Sequence, residues 1–235
     1  MGLIIRLPPD VLASVDLHAN GRSGPATSVA KSVAKAVPLN EQPTERQQLR
    51  RAMRSRRAAF TGALAPAVRG ALESALVHAL PRLGPPAILG SYAAMGDEID
   101  PQALEQAAIA AGWQIAFPRV TEGPLSFHSA AYAALTPGYK GIAEPPATAP
   151  LVRPDTLLVP LLAVDRAGNR LGQGKGHYDR TLAALRASGP LRAIGLAWDM
   201  QLLDSLPAEP WDQPLDAIAT PTLFHTPSPR AKAGA

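Results

Sequence analysis

Apolar positions along the chain recur with two different periods. Leu49, Met53, Phe60 and Leu64 fall at offsets 0, +4, +11 and +15, a single stripe at the helical period. Arg46, Arg50, Arg54 and Arg57 fall at offsets 0, +4, +8 and +11 and form a second stripe beside the first. Thr44 supplies an N-cap hydroxyl for this helix. One edge should be buried and the other should present guanidiniums; alone, such a stripe reads as a solvated surface. A second helix is predicted over Ala67–Leu80, stopped by Pro81.

Strands and helices then alternate. Ala87–Tyr92 reads as a buried strand, Pro101–Ala111 as a helix ending at Gly112, and Trp113–Phe117 as a strand stopped by Pro118. Leu125–Ser129 is a short strand with Phe127 and His128 on opposite faces. Thr156–Pro160 is a strand, Asp165–His177 a polar, glycine-rich connection, and Tyr178–Ser188 a helix. Arg192–Trp198 and Leu215–Thr220 are the last strands. This alternation predicts an α/β sheet covered by helices on both faces. His78 and His128 sit singly on apolar segments and read as packed side chains rather than ligands.

The ends differ from this middle. Residues 1–44 carry many turn formers and no sustained periodicity. Their cations and scarce acids resemble a transit peptide faintly, but a disordered N-terminal extension is the expectation. Residues 45–225 should form the folded domain and residues 226–235 a flexible C-terminal tail.

Composition narrows the chemistry. Of 235 residues, 46% are hydrophobic and none is cysteine. A core can form, while disulfide scaffolds, thiolate metal sites and cysteine nucleophiles are excluded. No apolar run approaches the ~18 residues of a membrane span. The net charge of +4 comes from 23 cations, of which six arginines lie between Arg46 and Arg57. Such a cluster suits nucleic acid or a single polyanionic small ligand, and charge alone does not separate them.

The segment Arg170-Leu171-Gly172-Gln173-Gly174-Lys175-Gly176-His177-Tyr178-Asp179-Arg180 is the most informative. Alternating glycines let backbone N–H groups converge on an anion, and the following helix adds its N-terminal N–H groups. Arg170 and Lys175 bring full charges, and Asp179 falls in the first helical turn, where a carboxylate can hold a phosphate-bridging Mg²⁺. The spacing matches neither the common phosphate-loop motif nor the dinucleotide turn.

With this loop the sequence resembles the 5-formyltetrahydrofolate cyclo-ligase family over most of residues 45–222. The resemblance includes the arginine-rich helix, Gly96-Asp97-Glu98, Phe117-Pro118-Arg119-Val120, Gly141-Ile142-Ala143-Glu144-Pro145 and Asp155–Pro160. It continues through Gly168-Asn169-Arg170 with the glycine loop, Gly195-Leu196-Ala197, Pro207 and Asp212-Gln213-Pro214-Leu215-Asp216. It implies a three-layer Rossmann-like α/β sheet of the sugar-phosphate isomerase and CoA-transferase kind. It also implies ATP-dependent closure of 5-formyltetrahydrofolate to 5,10-methenyltetrahydrofolate, with ADP and phosphate released. ATP is then co-substrate, Mg²⁺ the cofactor and the reduced folate the partner, in a cytoplasmic monomer that engages neither membrane nor nucleic acid.

Residue by residue, the resemblance puts ATP on Arg46, Gln47, Gln48, Leu49 and Arg50 and on Arg170, Leu171, Gly172, Gln173, Gly174, Lys175, Gly176, His177 and Tyr178. Folate falls on Ala93, Glu98 and the Gln173–His177 stretch, catalysis on Gln173, Lys175 and His177, and Mg²⁺ on Asp179 and Asp212. Arg46, Gln173 and His177 depart from the residues usual in that family at their positions. The competing expectation is a non-catalytic relative that binds nucleotide or RNA through the arginine-rich helix. Aromatic residues, the stacking platforms RNA needs, are only 5% of the chain, which counts against it.

Overall fold

The computed structural model describes residues 43–228, so the expectations for 1–42 and 229–235 lie outside the described residues. Helix α1 runs over Glu45–Gly62. The Thr44 hydroxyl accepts from the Gln47 N–H while the Gln47 side chain accepts from the Thr44 N–H, so two otherwise orphaned donors are satisfied. Helix α2 covers Pro66–Ala75 and tightens into a 3₁₀ stretch, Leu76–Arg82. One continuous helix stopped by Pro81 is therefore not what forms; Pro81 lies inside the tight stretch, where its missing N–H removes one bond from a short run. Helices α3 (Gln102–Ala110) and α4 (His177–Ala187) complete the set.

The strands are β1 (Ile88–Gly90), β2 (Gln114–Arg119), β3 (Ser126–Ser129), β4 (Thr136–Pro137), β5 (Ala143–Glu144) and β6 (Leu151–Val152). They continue as β7 (Thr156–Pro160), β8 (Ala163–Asp165), β9 (Arg170–Leu171), β10 (Arg192–Leu196), β11 (Leu202–Leu203), β12 (Ala217–Ala219) and β13 (Phe224–His225). Eight form the main sheet in the order β13-β12-β10-β7-β1-β2-β3-β6. The run from β12 to β2 is parallel, and β13, β3 and β6 are antiparallel additions at its two edges.

Alternation along these strands divides the core. Leu158, Ile194, Leu196, Ala217 and Ala219 pack on one face with Leu76, Leu104 and Ala108 from the α2–α3 side. Leu157, Val159, Ala193 and Ile218 pack on the other with Leu182 of α4. Helices thus cover both faces of a mostly parallel sheet, the α/β arrangement that the alternation of elements predicts. Gly90 is required by this packing: a Cβ there would stand 2.7 Å from Leu157 Cδ1.

One short strand, β9, interrupts the expected loop between Asp165 and His177. Strand β9 pairs antiparallel with β8, and β11 joins on the other side of β8. Met53 of α1 is fully buried against this small sheet, with Leu162, Ala163 and Leu171. The apolar stripe of α1 therefore divides: Leu49 and Met53 dock beside the glycine loop, while Phe60 packs against Trp198 and the core of the main sheet. Strand β2 also continues through Pro118 to Arg119. Ala116 accepts from the Ser91 N–H, so Pro118 faces the same side beyond the end of β1, where no ladder bond is lost.

Candidate active site

The carboxyl ends of the parallel strands open into a cleft of about 860 Å³. One wall is α1, whose Arg46, Arg50 and Arg57 turn inward while Arg54 stays exposed along the cleft. Arg50 donates from Nε to the Gly172 carbonyl at 3.0 Å. Arg54 donates from Nε to Gln173 Oε1 at 2.9 Å and from Nη2 to the Gln173 carbonyl at 3.1 Å. Arg46 grips Asp212 through two bonds, 2.5 and 3.1 Å long, and also reaches the Pro207 carbonyl. Arg57, 4% exposed, donates to the Leu161 carbonyl and to Asp97 Oδ1 at 2.9 Å. Trp198 Nε1 donates to the Asp97 carbonyl, so the turn that carries Glu98 is held from two sides.

The glycine loop forms the facing wall. Gly174 and Gly176 have φ of +100° and +66°, the left-handed region that side chains other than glycine's rarely adopt. Gly176 is the N-cap of α4, so the loop turns directly into the helix's free N–H groups. Arg170 is 6% exposed, donates from Nη2 to Asp179 Oδ1 at 2.8 Å, and keeps a buried Nε–H with no partner in the protein. Arg57 keeps a buried, unpartnered Nε–H as well, so both guanidiniums hold donors in reserve behind a cleft lined with cations. Lys175 places its ammonium 5.3 Å from the centre of the Tyr139 ring, and Lys140 lies 5.4 Å from it.

Electrostatics follow from this crowding. Hydrogen bonding to Asp212 raises the Arg46 pKa despite partial burial. Burial, then repulsion from Arg46 and Arg54, lowers that of Arg50. Burial works to raise Asp212, but the Arg46 fork and the Glu209 N–H hold it below the ordinary carboxylate range. Burial raises Glu98 above its ordinary value, although the Met95 N–H, Arg57 and Gln173 all favour its charged form. Burial, Arg180 and Lys175 lower His177, and Arg180 Nη2 lies 3.2 Å from its Nδ1. Because guanidinium only donates, Nδ1 is the acceptor and Nε2 carries the proton of the neutral ring.

The structure brings Arg46, Arg50, Ala93, Glu98, Arg170, the Gly172–Tyr178 stretch, Asp179 and Asp212 to this one cleft. It does not bring four other predicted residues there. Gln47 closes the capping box, Gln48 caps the Pro43 carbonyl, Leu49 packs in the small core, and Leu171 is buried in the same core. Sequence reasoning missed Arg54, Tyr139, Lys140 and Trp211, all of which line the cleft. Arg54 was visible as the next member of the arginine stripe; Tyr139 and Lys140 lie on a single 3₁₀ turn and Trp211 on a turn, segments too short to show a period. His78 and His128 bond the Thr220 and Ala149 carbonyls, as packed histidines do.

Asp179 and Asp212 sit at the same end of the cleft, since the Gln213 N–H donates to Asp179 Oδ1 at 3.3 Å. Each carboxylate already has an arginine partner. Among the described residues no three His, Cys, Asp or Glu side chains gather to hold a metal. Two carboxylates beside an anion-binding wall suit Mg²⁺ that arrives with phosphates, for Mg²⁺ takes one or two carboxylates and phosphate oxygens.

Comparison with known proteins points the same way. The profile of the 5-formyltetrahydrofolate cyclo-ligase family matches residues 42–221. The 5-formyltetrahydrofolate cyclo-ligase of Escherichia coli K12 is 48% identical over 73 residues, 31% of this chain and 40% of that protein. That of Mycolicibacterium smegmatis is 49% identical over 67 residues, 28% of this chain and 34% of that protein. These alignments thus span less than half of the relatives' lengths. The solved structure of Aquifex aeolicus 5,10-methenyltetrahydrofolate synthetase superimposes with a TM-score of 0.66 at 25% identity, covering 82% of this chain and 97% of that one. The Mycoplasma pneumoniae 5,10-methenyltetrahydrofolate synthetase shares the fold, with a TM-score of 0.54 at 23% identity over 76% of this chain and 99% of that one.

Proposed function

The chain belongs to the 5-formyltetrahydrofolate cyclo-ligase family, and from that premise we propose that it converts 5-formyltetrahydrofolate to 5,10-methenyltetrahydrofolate at the expense of ATP. The observation that carries this reading is the bond from Arg50 to the Gly172 carbonyl. It joins the arginine helix to the glycine loop, two anion-binding elements remote in sequence, at one cleft.

The chemistry needs such a site. A formamide oxygen is a poor leaving group, and phosphorylation makes it a good one. In the proposed reaction the formyl oxygen attacks the γ-phosphorus and the bond to ADP breaks. N10 then attacks the formyl carbon and loses its proton, and the carbon–oxygen bond breaks to release phosphate. Phosphoryl transfer asks for positioning and positive charge rather than a protein nucleophile. Arg46, Arg50 and Arg170 would hold the triphosphate, the loop N–H groups would cradle its oxygens, and Lys175 would follow the charge that builds on the transferring group. Glu98 would accept N–H bonds from the pterin, with Gln173 between Glu98 and Arg54 to fix the distance between the two substrates. Neutral His177 would donate from Nε2 to a phosphoryl oxygen. Asp179 and Asp212 would hold Mg²⁺, which supplies charge neutralisation to the triphosphate.

The finer fold assignment, a three-layer Rossmann-like sheet related to sugar-phosphate isomerases and CoA-transferases, is supported by the parallel order β12-β10-β7-β1-β2 with helices on both faces. A cytoplasmic setting accords with the use of ATP, and among the described residues no helix is long and apolar enough to cross a membrane. The pairing of Arg46 and Arg57 with Asp212 and Asp97 beside the cleft favours the small-ligand reading of this stripe over the RNA-binding one. The reading is tested by product stoichiometry: one ADP and one phosphate should form per folate cyclised. ADP formation that does not depend on 5-formyltetrahydrofolate would contradict it.

A further inference from the structure

The cleft also displays an aromatic surface that the mechanism does not use. Trp211 is 67% exposed, whereas Trp113 and Trp198 are 5% and 0% exposed. It lines the cleft on a turn between Pro210 and Asp212. That turn is closed twice, by the Asp212 N–H on the Glu209 carbonyl at 3.0 Å and by the Glu209 N–H on Asp212 Oδ2 at 2.8 Å. The same Asp212 carboxylate grips Arg46. One side chain therefore fixes both a cation of the triphosphate wall and the turn that presents the indole.

No ring, guanidinium or ammonium of the described residues stacks on Trp211, and none accepts from its Nε1–H. The other aromatic groups of the cleft are spoken for. Tyr92 is buried, Tyr178 has the Arg170 guanidinium over it, and Tyr139 has two lysine ammoniums against its ring. An exposed indole on a hydrogen-bonded turn at the rim of the cleft, with no stacking partner among the described residues, offers an open face to a planar ligand.

We propose that Trp211 is the stacking platform for the purine of the bound nucleotide and so selects a nucleoside triphosphate over bare polyphosphate. This rests on the reading of the cleft as a triphosphate site. With the phosphates on Arg46, Arg50 and Arg170, the base must extend past one end of that row, and Trp211 is chain-adjacent to the Arg46–Asp212 end. The pterin is drawn to Glu98, which belongs to the β1–α3 connection and not to this turn.

The test uses the full chain and three probes, Mg-ATP, Mg-tripolyphosphate and 5-formyltetrahydrofolate. Trp211 dominates solvent-accessible tryptophan emission, so Mg-ATP should quench it saturably and shield it from acrylamide, while Mg-tripolyphosphate should not. Trp211→Ala should raise the KM for ATP about tenfold, the usual scale of base stacking on an aromatic ring, with the loss in KM rather than in kcat. Trp211→Phe should restore most of it. If wild-type protein cyclises folate with ATP but Trp211→Ala keeps the wild-type ATP KM, the stacking proposal is overturned and the cyclo-ligase reading stands. A rise confined to the folate KM would overturn it equally, by placing the folate on the indole. If wild-type protein neither binds Mg-ATP nor cyclises folate, the reading beneath the proposal fails with it.

Discussion

Two glutamates of similar sequence surroundings have different tasks because their environments differ. Glu98 is half-buried at the cleft and keeps donors around it, whereas Glu105 is 3% exposed on α3 and meets only the Ser91 hydroxyl. Burial raises Glu105 from 4.5 to about 7. The folded state thus holds its proton where the unfolded chain has lost it, so the contribution of Glu105 to stability is full below pH 4.5 and is lost as pH rises through about 7. At about 1.4 kcal/mol per pH unit, ionised Glu105 costs folding about 3 kcal/mol. Glu105→Gln should flatten that fall, as read by urea unfolding at several pH values; an unchanged slope would assign it to other groups. Glu98→Gln should weaken reduced-folate binding more than ATP binding, because it removes charge-assisted bonds worth roughly 1.5–3 kcal/mol each. Calorimetric titration with each ligand checks this, and equal losses for both would make Glu98 structural. Both residues stand in the sequence as ordinary acids near a helix start; only burial, which depends on distant strands, separates them.

The elements show where pattern sufficed and where it did not. Helix α1 was legible because 18 residues carry two stripes behind an N-cap threonine. The two-residue strands β9 and β11 were not, since a two-residue segment has no period to detect and its pairing partners are remote. Strand β2 was cut short at Pro118 because its ladder ends there on one side only, which the sequence does not reveal. The direction of the arginine stripe was likewise hidden: it depends on Met53 docking against β8 and β9. Two substitutions on these facing elements should divide binding from chemistry. Arg50→Ala should mainly raise the ATP KM, by about tenfold, because a helix-borne guanidinium grips the triphosphate before and during transfer alike. Lys175→Ala should instead lower kcat by about a hundredfold with a smaller change in KM, because its ammonium meets charge that rearranges in the transition state. Steady-state kinetics on both variants decides; the reverse assignment would exchange the two roles.

At the scale of the whole molecule, the cleft residues run from Arg46 to Asp212, and Thr44 completes the first turn of α1. A chain beginning at Pro43 should retain kcat and both KM values within about twofold, because residues 1–42 carry turn formers and no sustained apolar period in the sequence. Loss of turnover on that truncation would give residues 1–42 a part in the reaction. The central claim is that one cleft brings ATP and a reduced folate together and closes the folate ring. The direct measurement mixes the full-length protein with Mg²⁺ and 5-formyltetrahydrofolate and follows methenyl absorbance before and after ATP is added. The account predicts no enzyme-dependent rise before ATP and a rise that begins with it, slowed strongly by Lys175→Ala. A rise that proceeds equally without ATP, or no rise when both ligands are bound, would contradict it.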